Sequence, residues 1–129
     1  MQALTTLAAF IATLGLLVSF HEFGHFLAAR CCGVRVLRFA VGFGKPIFTY
    51  RAKNKTEWVL ASIPLGGYVK LLDGRDAQQK IAPEEAPEAF DKKPLWQRSL
   101  IVAAGPFANF LLAVILFATI YVSGAPQLP

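Results

Sequence analysis

Charge is nearly absent from both ends of this 129-residue chain. All thirteen Lys and Arg residues lie between Arg30 and Arg98, and Glu22 is the only acidic residue outside that interval. Only 16% of the residues are charged, whereas 55% are hydrophobic and the mean hydropathy is +0.49. This composition excludes a disordered chain and exceeds the apolar share of a typical soluble domain, about 45–50%. The sequence therefore predicts a membrane protein in which two apolar segments flank a basic, water-facing connection.

Cysteine is scarce as well. The two cysteines, Cys31 and Cys32, are adjacent in sequence, which is a poor arrangement for a structural disulfide. A disulfide-stapled domain is excluded, and the pair is compatible with a reducing compartment. The formal net charge of +5 comes from cations near the apolar segments, which favours lipid headgroups over nucleic acid as the anionic partner. We therefore predict the lipid bilayer as a partner, and no nucleic acid.

Two apolar segments are long enough to cross a bilayer. We predict transmembrane helices over residues 3–30 and 98–123, because a hydrocarbon core of about 30 Å requires roughly 20 apolar residues. A cleaved signal peptide explains the first segment poorly, because Met1-Gln2 provides no cationic region and the positive flank follows the segment. Cations cluster at both ends of the connection, as the positive-inside rule requires of a cytoplasmic loop. This rule places residues 31–97 in the cytoplasm and both termini outside.

The connection predicts a β-hairpin within residues 31–72. Two stretches rich in Val, Ile and aromatic residues, 34–50 and 57–70, flank a polar turn at 53–56. Their glycines favour equally a loop that dips into the membrane and an amphipathic hairpin that lies on its surface. Residues 73–97 predict a solvated cytoplasmic linker, and 124–129 would begin an outer segment. The predicted fold class is an α-helical membrane protein whose two transmembrane helices are joined by a cytoplasmic, membrane-associated β-hairpin.

The chemistry concentrates in residues 21–25, whose sequence is HEFGH. One helical turn separates His21 from His25, so both imidazoles share a face and can bind one zinc ion at roughly 2.0–2.1 Å. Glu22 is adjacent and can act as the acid/base for a water that the zinc activates. An ionisable group near a bilayer centre costs about 2.5–3.5 kcal/mol, so these three need a partner there. The pattern predicts zinc-dependent peptide hydrolysis within the membrane.

Two other functions fit parts of this pattern. A haem-binding electron carrier is disfavoured, because axial haem ligands approach from opposite faces whereas His21 and His25 share one face. A catalytically inactive adaptor or regulator, which binds membrane segments without cutting them, stays open as the alternative. Metal content and cleavage of a membrane-spanning substrate distinguish the adaptor from the protease.

Four motifs resemble the site-2 protease family of intramembrane zinc metalloproteases: residues 21–25, 42–44, 64–70 and 105–110. The resemblance implies that His21 and His25 are zinc ligands and that Glu22 is catalytic. It also implies a multi-pass inner-membrane endopeptidase with a periplasmic N-terminus. Its substrate would be the transmembrane segment of a single-pass protein, either an anti-sigma factor or a remnant signal peptide.

By the same resemblance, the hairpin contacts the substrate and pairs with an unwound substrate segment as an added strand. The substrate-binding residues predicted in the hairpin are Gly42, Phe43, Gly44, Gly66, Gly67 and Tyr68. Family members take their last protein ligand from a Leu-Asp-Gly in a third core helix. Leu72-Asp73-Gly74 copies that tripeptide in a polar stretch, so Asp73 is predicted to be a loop carboxylate and not a ligand. Because catalytic zinc normally has three protein ligands, we expect the third from a downstream part of the full-length protein, of which this chain would be an N-terminal fragment.

The second helix adds two expectations. Small residues form a stripe on each helix, which lets the two backbones approach closely: Gly24, Ala28, Ala104 and Ala108. Pro106 removes a backbone donor and predicts a kink near Asn109. The Asn109 amide has two predicted roles, an ordinary interhelical hydrogen bond or a contact to substrate or to the zinc ligands. Because of the second of these roles, Asn109 is predicted to be one of the substrate-binding residues.

Overall fold

The computed structural model describes residues 1–53, 55–76 and 78–124. Two long helices are joined by a β-hairpin, as predicted. The elements in chain order are α1 (Gln2–Cys31), β1 (Val36–Arg51), β2 (Glu57–Leu71), two 3-10 helices (Pro83–Glu88 and Phe90–Lys92) and α2 (Leu95–Val122). In the described residues, the regular structure between the helices is the hairpin and two short 3-10 helices.

The observed bounds differ little from the predicted ones. Three of the four helix ends agree within one residue, but α2 begins at Leu95, three residues early. The prediction started at Arg98, the edge of the charge-free stretch, whereas the helix also includes Leu95, Trp96 and polar Gln97. Both strands agree within two residues. Asn54, in the predicted turn, and residues 125–129, in the predicted outer segment, lie outside the described residues.

Both helices have the length and hydropathy of membrane spans. Their most apolar windows have mean hydropathies of 2.1 in α1 and 2.4 in α2. At 1.5 Å per residue, α1 is about 45 Å long. Large apolar side chains stay exposed, among them Phe10 at 60% and Phe117 at 73%. Helices that expose apolar side chains in this way have the surface expected of a lipid-facing helix.

The hairpin is wider than two strands. β1 and β2 pair antiparallel, but both bend, so that residues 38–41 lie opposite 57–60 on one side and 67–70 on the other. The last part of β1, residues 46–51, pairs with 57–61. Four segments therefore lie side by side, in the order 67–71, 36–41, 57–61 and 46–51. This order was not predicted, because the sequence pattern indicates strands but not how a strand bends.

Glycines make these bends possible. Gly42, Gly44 and Gly66 have φ angles of +88°, +85° and +138°, which residues with a side chain rarely adopt. A Cβ atom on Gly42 would also lie 2.7 Å from the carbonyl oxygen of Ile63. The first bend in β1 therefore needs glycine for its backbone conformation and for its close contact with β2.

The core lies where the end of α1, the sheet and the start of α2 meet. The indole of Trp58 stacks on Phe39 with ring centroids 5.0 Å apart and contacts Phe26 edge-on at 5.0 Å. Such aromatic pairs add about 0.5–1.5 kcal/mol to the stabilisation from burial. The buried members of this cluster are Phe26, Ala29, Val34, Val36, Phe39 and Ile101. The cluster fixes the sheet against one end of the helix pair.

Residues 73–97 depart from the predicted solvated linker. The Arg35 guanidinium pairs with Glu85 at 3.0 Å and with Glu88 at 2.8 Å. The backbone N–H of Arg35 also donates to the carbonyl of Glu88 at 3.0 Å, and Ala89 is buried. Acidic residues that indicated solvation instead bind a cation of the hairpin. The linker is therefore attached to the sheet.

Candidate active site

His21 and His25 face each other on α1. Their Nε2 atoms are 3.1 Å apart, and the ring planes meet at 82° with centroids 4.7 Å apart. Both side chains are half-buried. The predicted arrangement of two imidazoles on one face of the helix is confirmed.

One face of α2 contacts both imidazoles through residues spaced four apart: Ile101, Gly105 and Asn109. The carbonyl oxygen of Ile101 lies 2.7 Å from Nδ1 of His25. Because a carbonyl only accepts hydrogen bonds, Nδ1 of His25 carries the proton and a neutral His25 has its lone pair on Nε2. The Asn109 amide nitrogen lies 3.5 Å from Nδ1 of His21. Each outer ring nitrogen is therefore contacted from α2.

Gly105 is the point where both rings meet the backbone of α2. A Cβ atom there would overlap Nε2 of His25 and would lie 2.8 Å from Nε2 of His21. Any residue other than glycine would have to push the two imidazoles aside. Gly105 therefore sets the distance between α2 and the histidine pair.

Gly24 has a similar effect on helix packing. A Cβ atom on Gly24 would overlap the carbonyl of Ala104 and lie 2.8 Å from Cβ of Ala108. The predicted close approach of small residues is confirmed at this contact. It holds α2 near enough for its backbone to reach the imidazoles of His21 and His25.

Glu22 connects α1 to the edge of the sheet. Its carboxylate lies near the backbone N–H of Val69. A Cβ atom on Gly67 would lie 3.2 Å from Cγ1 of Val18, so this part of β2 packs along α1. Segment 67–71 is an outermost segment of the sheet, and it lies next to the carboxylate that neighbours the histidines.

The hairpin residues predicted to bind substrate lie in one area. A Cβ atom on Gly66 would overlap the ring of Phe43, so the glycine motifs at 42–44 and 64–70 are in direct contact. Beside them the Tyr68 hydroxyl accepts a hydrogen bond from Nη1 of Arg38 at 3.1 Å. Asn109 lies apart from this group, on α2 beside His21.

Asp73 is engaged by Arg75. Its Oδ2 atom is 2.8 Å from Nη2 of Arg75, and its Oδ1 atom accepts from the Arg75 backbone N–H at 2.9 Å. These hydrogen bonds hold the pKa of the Asp73 carboxyl below its usual value. Within 1–53, 55–76 and 78–124, no group of three His, Cys, Asp or Glu side chains is placed to hold a metal. His21 and His25 are thus a pair of donors, and Asp73 does not join them.

The donor set fits zinc. Two nitrogen ligands at about 2.0–2.1 Å in tetrahedral geometry are roughly 3.3 Å apart, close to the 3.1 Å observed here. Metal-binding histidines usually donate their other ring N–H to a carbonyl or carboxylate, as His25 does to Ile101. Two imidazoles leave at least one position for a further protein ligand and one for water.

Sequence reasoning missed two parts of this site. The Ile101 carbonyl belongs to the backbone, so no pattern of side chains predicts that it accepts this hydrogen bond. No contact with the histidines was predicted for Gly105, although a glycine inside an apolar helix indicates a close backbone approach. Placing that approach at the histidines requires the antiparallel pairing of α1 and α2.

Comparison with known proteins agrees with this site. Residues 9–127 match the model of Peptidase family M50. The chain is 50% identical over 127 residues to Protease RseP of Yersinia pestis and 49% identical over 126 residues to Regulator of sigma-E protease RseP of Salmonella typhimurium. It is also 49% identical over 126 residues to a Pasteurella multocida protein named as a zinc metalloprotease.

Each of these alignments covers 98% of the chain and 28% of the relative, so the chain spans little more than a quarter of their length. The family match covers most of the chain, including both histidines, the hairpin and all of α2. The chain belongs to peptidase family M50, the site-2 metalloproteases that its motifs resemble.

Proposed function

We propose that this chain carries two zinc ligands and the acid/base of an intramembrane endopeptidase, with His21 and His25 as ligands and Glu22 as the catalytic carboxylate. The observation that carries the proposal is the convergence of two Nε2 atoms at 3.1 Å inside an apolar helix. Unpaired ionisable groups at that depth cost about 2.5–3.5 kcal/mol each, and a shared metal offsets this cost. The zinc metalloprotease name of a relative supports the choice of metal.

The third protein ligand is proposed to come from a downstream segment of the full-length protein. Catalytic zinc sites keep three protein ligands and one open position. The described residues supply two, and the matched relatives are several times longer than the chain. A chain expressed alone is then expected to bind zinc more weakly than the full-length protein does.

Zinc, when bound, supplies a Lewis acid that polarises the scissile carbonyl and acidifies the attacking water. The Glu22 carboxylate accepts a proton from that water and afterwards donates it to the nitrogen of the leaving amine. The Val69 N–H lies near this carboxylate and would stabilise its charged form. Because Val69 belongs to the sheet, the sheet would support the acid/base.

The substrate is proposed to be an unwound segment of a single-pass membrane protein. Segment 67–71 is the edge of the sheet next to Glu22, and an open edge can pair with an extended backbone. Six hairpin residues lie at this end and would contact the added strand: Gly42, Phe43, Gly44, Gly66, Gly67 and Tyr68. The family resemblance implies an anti-sigma factor or a remnant signal peptide as substrate, and one relative is named as a regulator of sigma-E protease. We propose an inner-membrane location from the resemblance to the family, and from the distribution of cations a periplasmic N-terminus with residues 31–97 in the cytoplasm.

The test uses the full-length protein in detergent, a single-span substrate and three variants. Glu22→Gln is expected to slow cleavage at least about 10²–10⁴-fold while zinc stays bound, because it removes only the proton carrier. His21→Ala is expected to lose zinc. Glu84→Gln changes an exposed acid in the linker and is the matched control, expected to cleave normally.

Cleavage by Glu22→Gln at the unmodified rate would remove Glu22 from the mechanism. Zinc retained in His21→Ala would remove the ligand assignment. If the unmodified protein binds zinc and membrane segments but cuts none of several substrates, the adaptor is the better description.

A further inference from the structure

We infer that Asn109 is a positioning residue, which holds the ring of His21 by accepting a hydrogen bond from its Nδ1–H and so directs the Nε2 lone pair toward the metal. The inference rests on the proposed function, because it takes His21 as a zinc ligand. It gives Asn109 the role of supporting the zinc ligand His21 and not that of binding substrate.

The two histidines differ in what contacts their outer nitrogen. Nδ1 of His25 lies 2.7 Å from the Ile101 carbonyl, which can only accept and therefore fixes the proton on Nδ1. Nδ1 of His21 lies 3.5 Å from the Asn109 amide nitrogen, one helical turn from His25 on α1 and two turns from Ile101 on α2. The metal needs the lone pair of His21 on Nε2, so Nδ1 of His21 must also carry a proton.

Asn109 has an acceptor suited to that proton. Its Oδ1 atom is buried and has no hydrogen-bond partner in the part of the chain that the structure describes. A half-turn of the amide exchanges Oδ1 with Nδ2, whose positions are nearly equivalent in shape, and brings the oxygen to Nδ1 of His21. The protonated Nδ1 required for metal binding selects this orientation.

Asparagine fits this role better than an apolar residue of equal size. A leucine would leave the Nδ1–H of His21 without a partner in an apolar helix pair, and the ring would be freer to rotate. An aspartate keeps the acceptor and could strengthen it, as carboxylate–histidine–zinc arrangements do. The two substitutions therefore separate hydrogen bonding from packing.

The experiment measures zinc affinity by chelator competition and the absorption spectrum of the cobalt(II)-substituted full-length protein. Asn109→Leu is expected to weaken zinc binding about 10–100-fold and to shift the cobalt bands, because one ligand loses its orientation. Asn109→Asp is expected to stay within a few-fold of the unmodified affinity. Phe110→Leu alters the neighbouring, 65% exposed side chain and is the matched control.

Unchanged affinity and spectrum in Asn109→Leu would overturn the inference, as would equal losses in Asn109→Leu and Asn109→Asp. If Asn109→Leu does not fold, Asn109→Ala replaces it, with the same loss expected. If unmodified protein binds no zinc through His21 and His25, the proposed function fails, whereas zinc binding that is indifferent to residue 109 overturns only this inference.

Discussion

The two halves of the helix pair pack differently. In the hairpin-proximal half, residues 18–31 of α1 and 95–109 of α2, Gly24 and Gly105 bring one helix into direct contact with the other. In the distal half, residues 2–17 and 110–122, most side chains are exposed. A groove of about 260 Å³ separates the helices there, lined by Leu17, Leu112, Ala113, Leu116, Phe117 and Ile120.

This difference shows where helix pairing is specified. Within lipid, apolar side chains gain little by leaving acyl chains for another helix, so close packing and hydrogen bonds decide which faces meet. The proximal half has both, in its glycines and in the contacts to Ile101 and Asn109. The distal half exposes mostly apolar side chains, which lipid would cover equally well in the proposed membrane location.

The largest effect is expected when one methyl group is added in the proximal half and, in a separate variant, one is added in the distal half. Gly105→Ala places a Cβ atom against both imidazoles and should weaken zinc binding about hundredfold or more. This loss is larger than the loss expected from removing one hydrogen bond that supports a zinc ligand. Gly15→Ala is the matched control, since nothing lies within 4 Å of its Cβ position. It should leave zinc binding unchanged. Equal zinc affinity in the two variants would contradict the contrast between the halves.

A smaller effect is expected where the linker supports the proximal half. Arg35→Met keeps the apolar stem but removes the contacts to Glu85 and Glu88, and should lower the free energy of unfolding by about 1–2 kcal/mol. Arg51→Met, at an 82% exposed guanidinium 3.5 Å from Glu57, should cost less than about 0.5 kcal/mol. Thermal unfolding in detergent compares them. The attachment of the linker is refuted if both cost the same.

The smallest effect is expected at Asp73. Its folded pKa lies below the unfolded value of about 3.9, so its pairing with Arg75 stabilises the protein above that pH and the gain disappears as the pH falls through the folded pKa. Carboxyl carbon shifts followed by NMR should give Asp73 a lowered midpoint. Arg75→Gln should move that midpoint back toward 3.9, and an unchanged midpoint would contradict the assigned cause.

The sequence was most informative where side chains follow a periodic pattern. The HEFGH spacing predicted facing imidazoles, because 3.6 residues per turn leave His21 and His25 little choice once the segment is helical. Apolar runs predicted both helices to within three residues, and small-residue spacing predicted the contact at Gly24. Each of these features depends on local sequence alone.

Features that depend on distant backbone were not predictable in this way. The acceptor for His25 is a main-chain carbonyl 76 residues away, which any residue at position 101 would supply. The linker is held by Arg35, 50 and 53 residues before its partners Glu85 and Glu88. The side-by-side order of the four sheet segments depends on bends at glycines. The composition of the sequence does not predict the direction of these bends.

The Ile101 carbonyl has an implication for natural variation. Exchanging the side chain at position 101 leaves that oxygen in place, so the orientation of His25 is insulated from point mutation. His21 depends on an amide that a single codon change can replace. Relatives that tune their metal affinity during divergence would therefore be expected to do so at position 109, and to conserve at 101 nothing more than a helical main chain.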